Sequence, residues 1–387
     1  MKQAPGYLLQ TIENVDYLLP YGQLIAEHKR PISLNESGVY LWNLLEHDLT
    51  REELLSKYLE QFLQDAAQKD ALTKDLNIFL NQLISLRIIE DDTPRSQPLG
   101  KPYACLQIAG LTLAYYGPGK MLDASNLKDF CVDSGECADQ TISFIWGTPI
   151  VYTNDTVVVR NDELMVCERD TEYLLIFPTL SQIHGASISK DGKSVCFYCE
   201  LPVTEELSTQ FFHACRFTFL YLAQLHDMYA IHSVSIDYRG RAWLFSASSG
   251  SGKSTHANLW KELYQTTTIN GDLNLLAFSN GCPVIHGIPW CGTSEIFDKR
   301  TYPLGGIILL KQSETDTIAE LSPGRKTLLV MQRFISPAWT EQQLKANLQF
   351  AQRLSRQILI CQLQCTKNTS AAELMKSWID QNDMAGE

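Results

Sequence analysis

The segment Ala247-Ser248-Ser249-Gly250-Ser251-Gly252-Lys253-Ser254-Thr255 constrains this chain more than any other. Ahead of it runs Ala242-Trp243-Leu244-Phe245, apolar and of strand character, and after it His256-Ala257-Asn258-Leu259-Trp260 can continue as a helix. A strand, a loop of small residues and a helix start with Gly-Lys-Ser at the junction form a phosphate-binding P-loop. Small residues let the backbone wrap a polyphosphate, with amides of the loop and first helical turn aimed at its oxygens. Ser248, Ser249, Gly250, Ser251, Gly252, Lys253, Ser254 and Thr255 are the expected nucleotide contacts. Lys253 would reach the β- and γ-phosphates, and the Ser254 hydroxyl would ligate Mg²⁺. Ala247 stands where the pattern usually opens with Gly, and alanine takes positive φ less readily. A Ser/Gly-rich turn before a helix is the plainer alternative, but such turns rarely carry Gly-Lys-Ser-Thr behind a strand.

Composition narrows the partners. A net charge of −12 argues against nucleic acid or an anionic membrane surface as the main partner. No apolar run approaches the ~20 residues of a membrane span, and no secretory pattern opens the chain. A cytoplasmic protein is expected, with a homo-oligomer left open. The 11 cysteines are then free thiols, and the pairs Cys196/Cys199 and Cys361/Cys365 read as core residues in strand-like runs, without a partner pair at zinc-site spacing.

Along the chain, residues 1–92 read as a small helical module with short strands. Tyr21-Gly22 suggests a hairpin turn between residues 17–20 and 23–26. Asn35 or Ser37 can cap a helix bearing Val39, Trp42 and Leu45, and Thr50-Arg51-Glu52-Glu53 is a capping box. A third helix is expected from about Thr73. Residues 93–102, with three prolines, read as a linker. From 103 to 202 short apolar runs alternate with turns (105–113, 141–146, 156–160, 163–167, 173–177 and 194–199), a β-rich region. Its acidic residues Asp123, Asp129, Asp133, Glu136 and Asp139 read as a solvated loop. From 203 to 387 follow a long helix, a strand over 230–236, the P-loop and a mostly helical tail.

The candidate acid is Asp272, eighteen residues past Ser254 at the end of the run Thr266-Thr267-Thr268-Ile269-Asn270-Gly271. There a carboxylate can sit beside bound Mg²⁺ and take the proton of an acceptor hydroxyl. A turn aspartate is the plainer reading. His232 precedes the P-loop by one expected hairpin. Lys299 and Arg300 are weaker candidates for clamping a phosphoryl group.

Two resemblances add to this. The run Pro31-Ile32-Ser33-Leu34-Asn35-Glu36-Ser37-Gly38-Val39-Tyr40-Leu41-Trp42 resembles PqqD-like domains, winged-helix modules that bind the leader of a ribosomally made precursor as an added strand. Acidic Glu46, Asp48, Glu52 and Glu53 argue against the alternative, a DNA-binding winged helix. Ile231-His232-Ser233-Val234-Ser235, Gly240-Arg241-Ala242-Trp243, the P-loop, Gly271-Asp272 and Gly287-Ile288-Pro289-Trp290 occur in one order. That order resembles HPr kinase/phosphorylase and related kinases of ribosomal-peptide gene clusters. The resemblance implies a mostly antiparallel sheet carrying the P-loop, His232 beside the phosphates, and Asp272 as base. It also implies an acidic pair after the loop, of which this chain keeps the second member, with Gly271 in place of the first.

Together these readings predict an α+β chain: a PqqD-like peptide-binding domain, a linker, a β-rich region, and a P-loop domain with flanking helices. The expected function is an ATP- and Mg²⁺-dependent peptide kinase acting on a Ser/Thr hydroxyl of a precursor held by its leader. The expected catalytic residues are Asp272, Lys253 and His232, with Ser254 and Asp272 on the metal. The alternatives are an ATP-responsive peptide- or DNA-binding regulator and a small-molecule kinase.

Overall fold

The computed structural model describes residues 1–26, 29–47, 49–85, 88–90, 101–123, 125–132, 138–149, 151, 155–248 and 252–383. Most of the expected linker lies outside them, as do Asp48, Asp133 and Glu136. The chain divides into two units. One comprises Met1–Leu99, Ile145–Asn154 and Tyr198–Leu201, the other Gly100–Phe144, Asp155–Phe197 and Pro202–Glu387.

In the first unit, Val15–Pro20 pairs antiparallel with Tyr7–Ile12 on one side and with Ile32–Leu34 on the other. Glu13-Asn14 makes the two-residue turn, both at positive φ (49° and 66°), the backbone whose twist suits a tight hairpin. The hairpin expected at Tyr21-Gly22 is therefore corrected: Gln23–Ala26 is helical, and Pro20 lies opposite Tyr7. Asn35, not Ser37, caps the helix Glu36–Leu44 by accepting from the Gly38 amide at 2.9 Å. Thr50 and Glu53 complete the capping box of Arg51–Phe62, and the third helix, Lys69–Ser85, begins one turn earlier than expected. These side chains satisfy amides that a first helical turn leaves open. Leu18, Leu34, Trp42, Leu54, Leu80 and Ile88 share one core, and Ile89–Glu90 pairs with Lys2–Gln3.

Two large sheets organise the second unit. One holds nine strands among the described residues, with Thr156–Arg160 at one edge and Cys131–Val132 at the other. The run expected over 105–113 is here two strands, Ala104–Ile108 and Leu111–Tyr115, because Ala109 and Gly110 both turn at positive φ. Cys196 and Cys199 lie buried on one strand of this sheet, and Cys361 and Cys365 on one strand of the next.

The second sheet carries the strand that leads into the expected phosphate loop, called the P-loop strand below. Its order is Tyr229–His232, Leu273–Ser279, Cys282–His286, Thr301–Gln312, Arg241–Ser246, Val234–Tyr238 and Thr267–Asn270, with Leu359–Cys365 alongside Thr301–Gln312. Most pairings are antiparallel. The P-loop strand Arg241–Ser246 and Leu359–Cys365 both run parallel to Thr301–Gln312. Helices cover both faces, and the P-loop strand shows it. Ala242 and Leu244 join a core with Val330, Phe350 and Leu354 from the helices Pro323–Met331 and Glu341–Ser355. Trp243 and Phe245, pointing the other way, join a core with Trp260, Met375 and Ile379 from Lys253–Tyr264 and Thr369–Asp383. A strand buried on both faces reads as a continuous apolar run, as 242–245 does.

The single strand expected over 230–236 is corrected to two. It breaks at Ser233, where the chain changes neighbours: Tyr229–His232 pairs with Leu273–Ser279 and Val234–Tyr238 with the P-loop strand.

Candidate active site

Arg241–Ser246 delivers the chain from the sheet to the candidate phosphate loop that begins at Ala247. Ser249, Gly250 and Ser251 lie outside the described residues. Gly252 follows with φ at 95°, a left-handed backbone that glycine takes without strain. Lys253 then opens the helix Lys253–Tyr264, with Ser254 and Thr255 exposed on its first turn.

The chain break at Ser233 is what brings the candidate residues together. The Ser233 amide donates to the Asp272 carbonyl at 2.9 Å, and the Ser246 hydroxyl donates to the His232 carbonyl at 2.7 Å. The ends of three strands are thereby tied at one point. Lys253 Nζ lies 2.7 Å from His232 Nε2, and His232 Nδ1 lies 3.3 Å from Asp272 Oδ1. An ammonium only donates, so Nε2 is the acceptor and the imidazole proton sits on Nδ1, facing Asp272. Burial, and after it the Lys253 charge, push the His232 pKa below its ordinary 6.5. Burial likewise lowers that of Lys253. His232 is therefore neutral at pH 7, held between a cation and a carboxylate.

Beneath the site lies a buried polar network. Asn270 Oδ1 accepts from the amides of Asp272 and Leu273, both at 3.0 Å, and its Nδ2 donates to the Trp290 carbonyl at 3.1 Å. Ser235 donates to Asn274 at 2.6 Å, and Asn274 donates to the Ser233 carbonyl at 2.7 Å. Bonds of this kind in a buried setting hold a loop to one geometry. They hold the backbone that bears Asp272.

Two glycines admit the segment that covers Asp272. A Cβ on Gly271 would lie 2.0 Å from the Ser294 hydroxyl oxygen and 2.4 Å from its Cβ. Ser294 itself is fixed, donating to the Cys291 carbonyl at 2.7 Å. Gly292, at φ 63°, would put a Cβ 2.8 Å from that of Asp272. The volume a side chain at 271 would need is thus filled by Ser294.

One functional candidate escapes sequence reasoning. Arg333 follows the helix Pro323–Met331, and its guanidinium donates to the Ser248 hydroxyl at 3.3 Å. Its carbonyl accepts from the His232 amide at 2.9 Å, and Phe334 bridges Ile231. No motif surrounds Arg333, and the antiparallel pairing of residues 333–335 with 230–232 brings it to the loop. Lys299 and Arg300, the expected clamp, are engaged elsewhere. Lys299 donates to the Asp129 carbonyl at 2.8 Å, and Arg300 makes a two-point pair with Asp298 at 2.7–3.1 Å.

Lys253 and Arg333 set positive charges at a loop built from small residues, with the Asp272 carboxylate close by. That balance suits a polyphosphate. Asp272 and Ser254 present oxygen donors, the chemistry Mg²⁺ takes when most of its remaining ligands are phosphate and water. Among the described residues no group of three or more His, Cys, Asp or Glu side chains is placed to hold a metal by itself.

Residues 24–89 match the family model for coenzyme PQQ synthesis protein D (PqqD). The matched segment lies within the first unit and contains Ile32–Leu34 and the three long helices. No curated protein matches the chain. Among solved structures, the HPr(Ser) kinase/phosphatase from Coxiella burnetii aligns at 12% identity and a TM-score of 0.19. The alignment covers 24% of this chain and 64% of that one, under two thirds of its length. Likeness at that level leaves the site to be read from its own geometry. No helix among the described residues is long and apolar enough to cross a membrane.

Proposed function

We propose that the chain is an ATP-dependent kinase that phosphorylates a Ser or Thr hydroxyl of a ribosomally made precursor peptide, whose leader binds the PqqD domain. The observation that carries this reading is the Lys253–His232–Asp272 series, at 2.7 and 3.3 Å, standing at the start of the P-loop helix. A carboxylate steadied by a neutral imidazole beside the phosphate-loop lysine suits the base that an acceptor hydroxyl needs.

In this reading the loop amides, Lys253 and Arg333 bind the phosphates of ATP. Ser254 and Asp272 would hold Mg²⁺, which neutralises charge on the phosphates. Asp272 accepts the proton of the acceptor hydroxyl as that oxygen bonds to the γ-phosphorus, and the bond from γ-phosphorus to the bridging oxygen breaks, so that ADP leaves. His232 donates from Nδ1 to Asp272 and keeps the carboxylate aimed. Such chemistry needs the ATP of the cytoplasm.

The PqqD match supports the partner. The strands Tyr7–Ile12 and Ile32–Leu34 each pair on one side only among the described residues, and an open sheet edge can accept a leader as a further strand. A leader held in this way raises the local concentration of a weak acceptor to roughly millimolar levels. The test is to incubate the full chain with Mg-ATP and a precursor peptide, with and without its leader. Mass spectrometry should find one added phosphoryl group, formed much faster when the leader is present. Equal rates would remove the PqqD domain from the reaction.

A further inference from the structure

Residues 287–300 leave the strand Cys282–His286 and return to Thr301–Gln312, with His286 and Thr301 paired across the neck. The Gly287 amide closes the loop by donating to the Arg300 carbonyl at 3.0 Å. A surface segment with joined ends is an Ω-loop, and its own side chains and its neighbours must hold its shape. On its inner side the Ile288 and Trp290 carbonyls accept from Asn270 Nδ2, and the Ile296 carbonyl accepts from the Gly271 amide at 3.2 Å.

On its outer side stands a one-turn helix, Asn126–Phe130, seated by buried Leu127 and Phe130 and followed by the edge strand Cys131–Val132. It meets the loop at three points. Asn126 Nδ2 donates to the Pro289 carbonyl at 3.1 Å and to Cys291 Sγ at 3.6 Å. The Asp129 carbonyl accepts from Lys299 Nζ at 2.8 Å, and Phe130 stacks on Phe297 at 5.9 Å. A carbonyl only accepts, so Pro289 fixes which way the Asn126 amide faces.

The Asn126 contact comes nearest the base, because Cys291 is followed directly by Gly292. The backbone at Gly292 borders the carboxylate: a Cβ there would lie 2.9 Å from Asp272 Cγ and 3.2 Å from Oδ2. His232 engages Oδ1. Oδ2 is then the oxygen left for an acceptor hydroxyl, and Gly292 forms one wall of its approach. We propose that Asn126 is a positioning residue for the base: its carboxamide holds the 287–300 loop so that Gly292 bounds the Oδ2 side of Asp272. The inference rests on the kinase reading, and its experiment separates the two.

Asn126 is half-buried at the surface, so Asn126→Ala should fold, and unchanged Mg-ADP affinity verifies this. With Mg-ATP and a leader-bearing precursor, kcat should fall about 10-fold, the scale set by a slightly misplaced reacting group. KM for ATP should stay at the parental value, since Lys253 and Arg333 are untouched. In the Asp272→Asn background the same change should cost less than about 2-fold, because the group it positions is already lost. A merely structural Asn126 would slow both backgrounds equally. Hydrogen exchange read by mass spectrometry gives a measure that needs no turnover: peptides containing 270–273 and 288–296 should exchange faster in Asn126→Ala. Parental kcat in Asn126→Ala, equal slowing in both backgrounds, or unchanged exchange over 270–273 would overturn the assignment. A parent that phosphorylates no precursor, yet shows Asn126-dependent exchange over 270–273, would sink the kinase reading and leave Asn126 as the residue that holds the loop on Asp272.

Discussion

His256→Phe should change how the second unit responds to acid. His256 sits on the first turn of the P-loop helix, 3% exposed, with its ring stacked on Phe245 at 5.2 Å and 19°. Neither ring nitrogen has a hydrogen-bond partner among the described residues. Burial drives its pKa from 6.5 to about 4. In the unfolded chain the ring takes its proton near 6.5, and in the folded chain only near 4. Unfolding therefore takes up a proton between those values, and stability present above about pH 6.5 is lost as the pH falls. Over the whole window the loss is about 3 kcal/mol, at about 1.4 kcal/mol per pH unit. A phenylalanine keeps the stack and carries no titratable group. Urea unfolding followed by tryptophan emission, for both proteins between pH 7 and pH 4, isolates the effect because other titrating groups cancel in the difference. The variant should gain on the parent by about 3 kcal/mol as the pH falls to 4. A difference that stays constant with pH would refute the argument that His256 is buried neutral.

Gly271→Ala should destabilise by about 1–3 kcal/mol, because the new methyl enters the space of Ser294. Adding Ser294→Gly should recover most of that loss in thermal unfolding, and full additivity would show that the two sites do not touch. Arg333→Gln should raise KM for ATP by about 10-fold through the lost charged contact to phosphate, while Arg300→Gln, whose partner is Asp298, should leave it unchanged. Initial rates against ATP concentration distinguish these. If the proposed leader binding holds, a proline placed inside the leader segment should abolish capture, since an added strand is held by main-chain hydrogen bonds. Anisotropy of a labelled leader measures it, and unchanged binding would exclude strand addition.

What the sequence made readable were features set by near neighbours in the chain. The Asn35 cap, the Thr50 capping box and the Gly252 helix entry follow from local backbone needs, and each is present. The turn at Glu13-Asn14 was hidden because Tyr21-Gly22 offered a more familiar turn signal nearby. Ser233 gave no sign of a strand break, since what breaks the strand is a change of partner between Leu273–Ser279 and Arg241–Ser246. The same distance in sequence hid Arg333 and Ser294, which reach the site through Phe334 and Cys291. A residue whose place is set by a remote pairing leaves no local pattern to read.

The central claim, that this site transfers a phosphoryl group with Asp272 as base, is tested most directly by comparing phosphopeptide formation in the parent and in Asp272→Asn. With saturating Mg-ATP and a leader-bearing precursor, the parent should accumulate phosphopeptide, and the variant should bind nucleotide yet form product at least ~10²-fold more slowly. Product formed by Asp272→Asn at the parental rate, or none formed by the parent while nucleotide and leader both bind, would contradict the account.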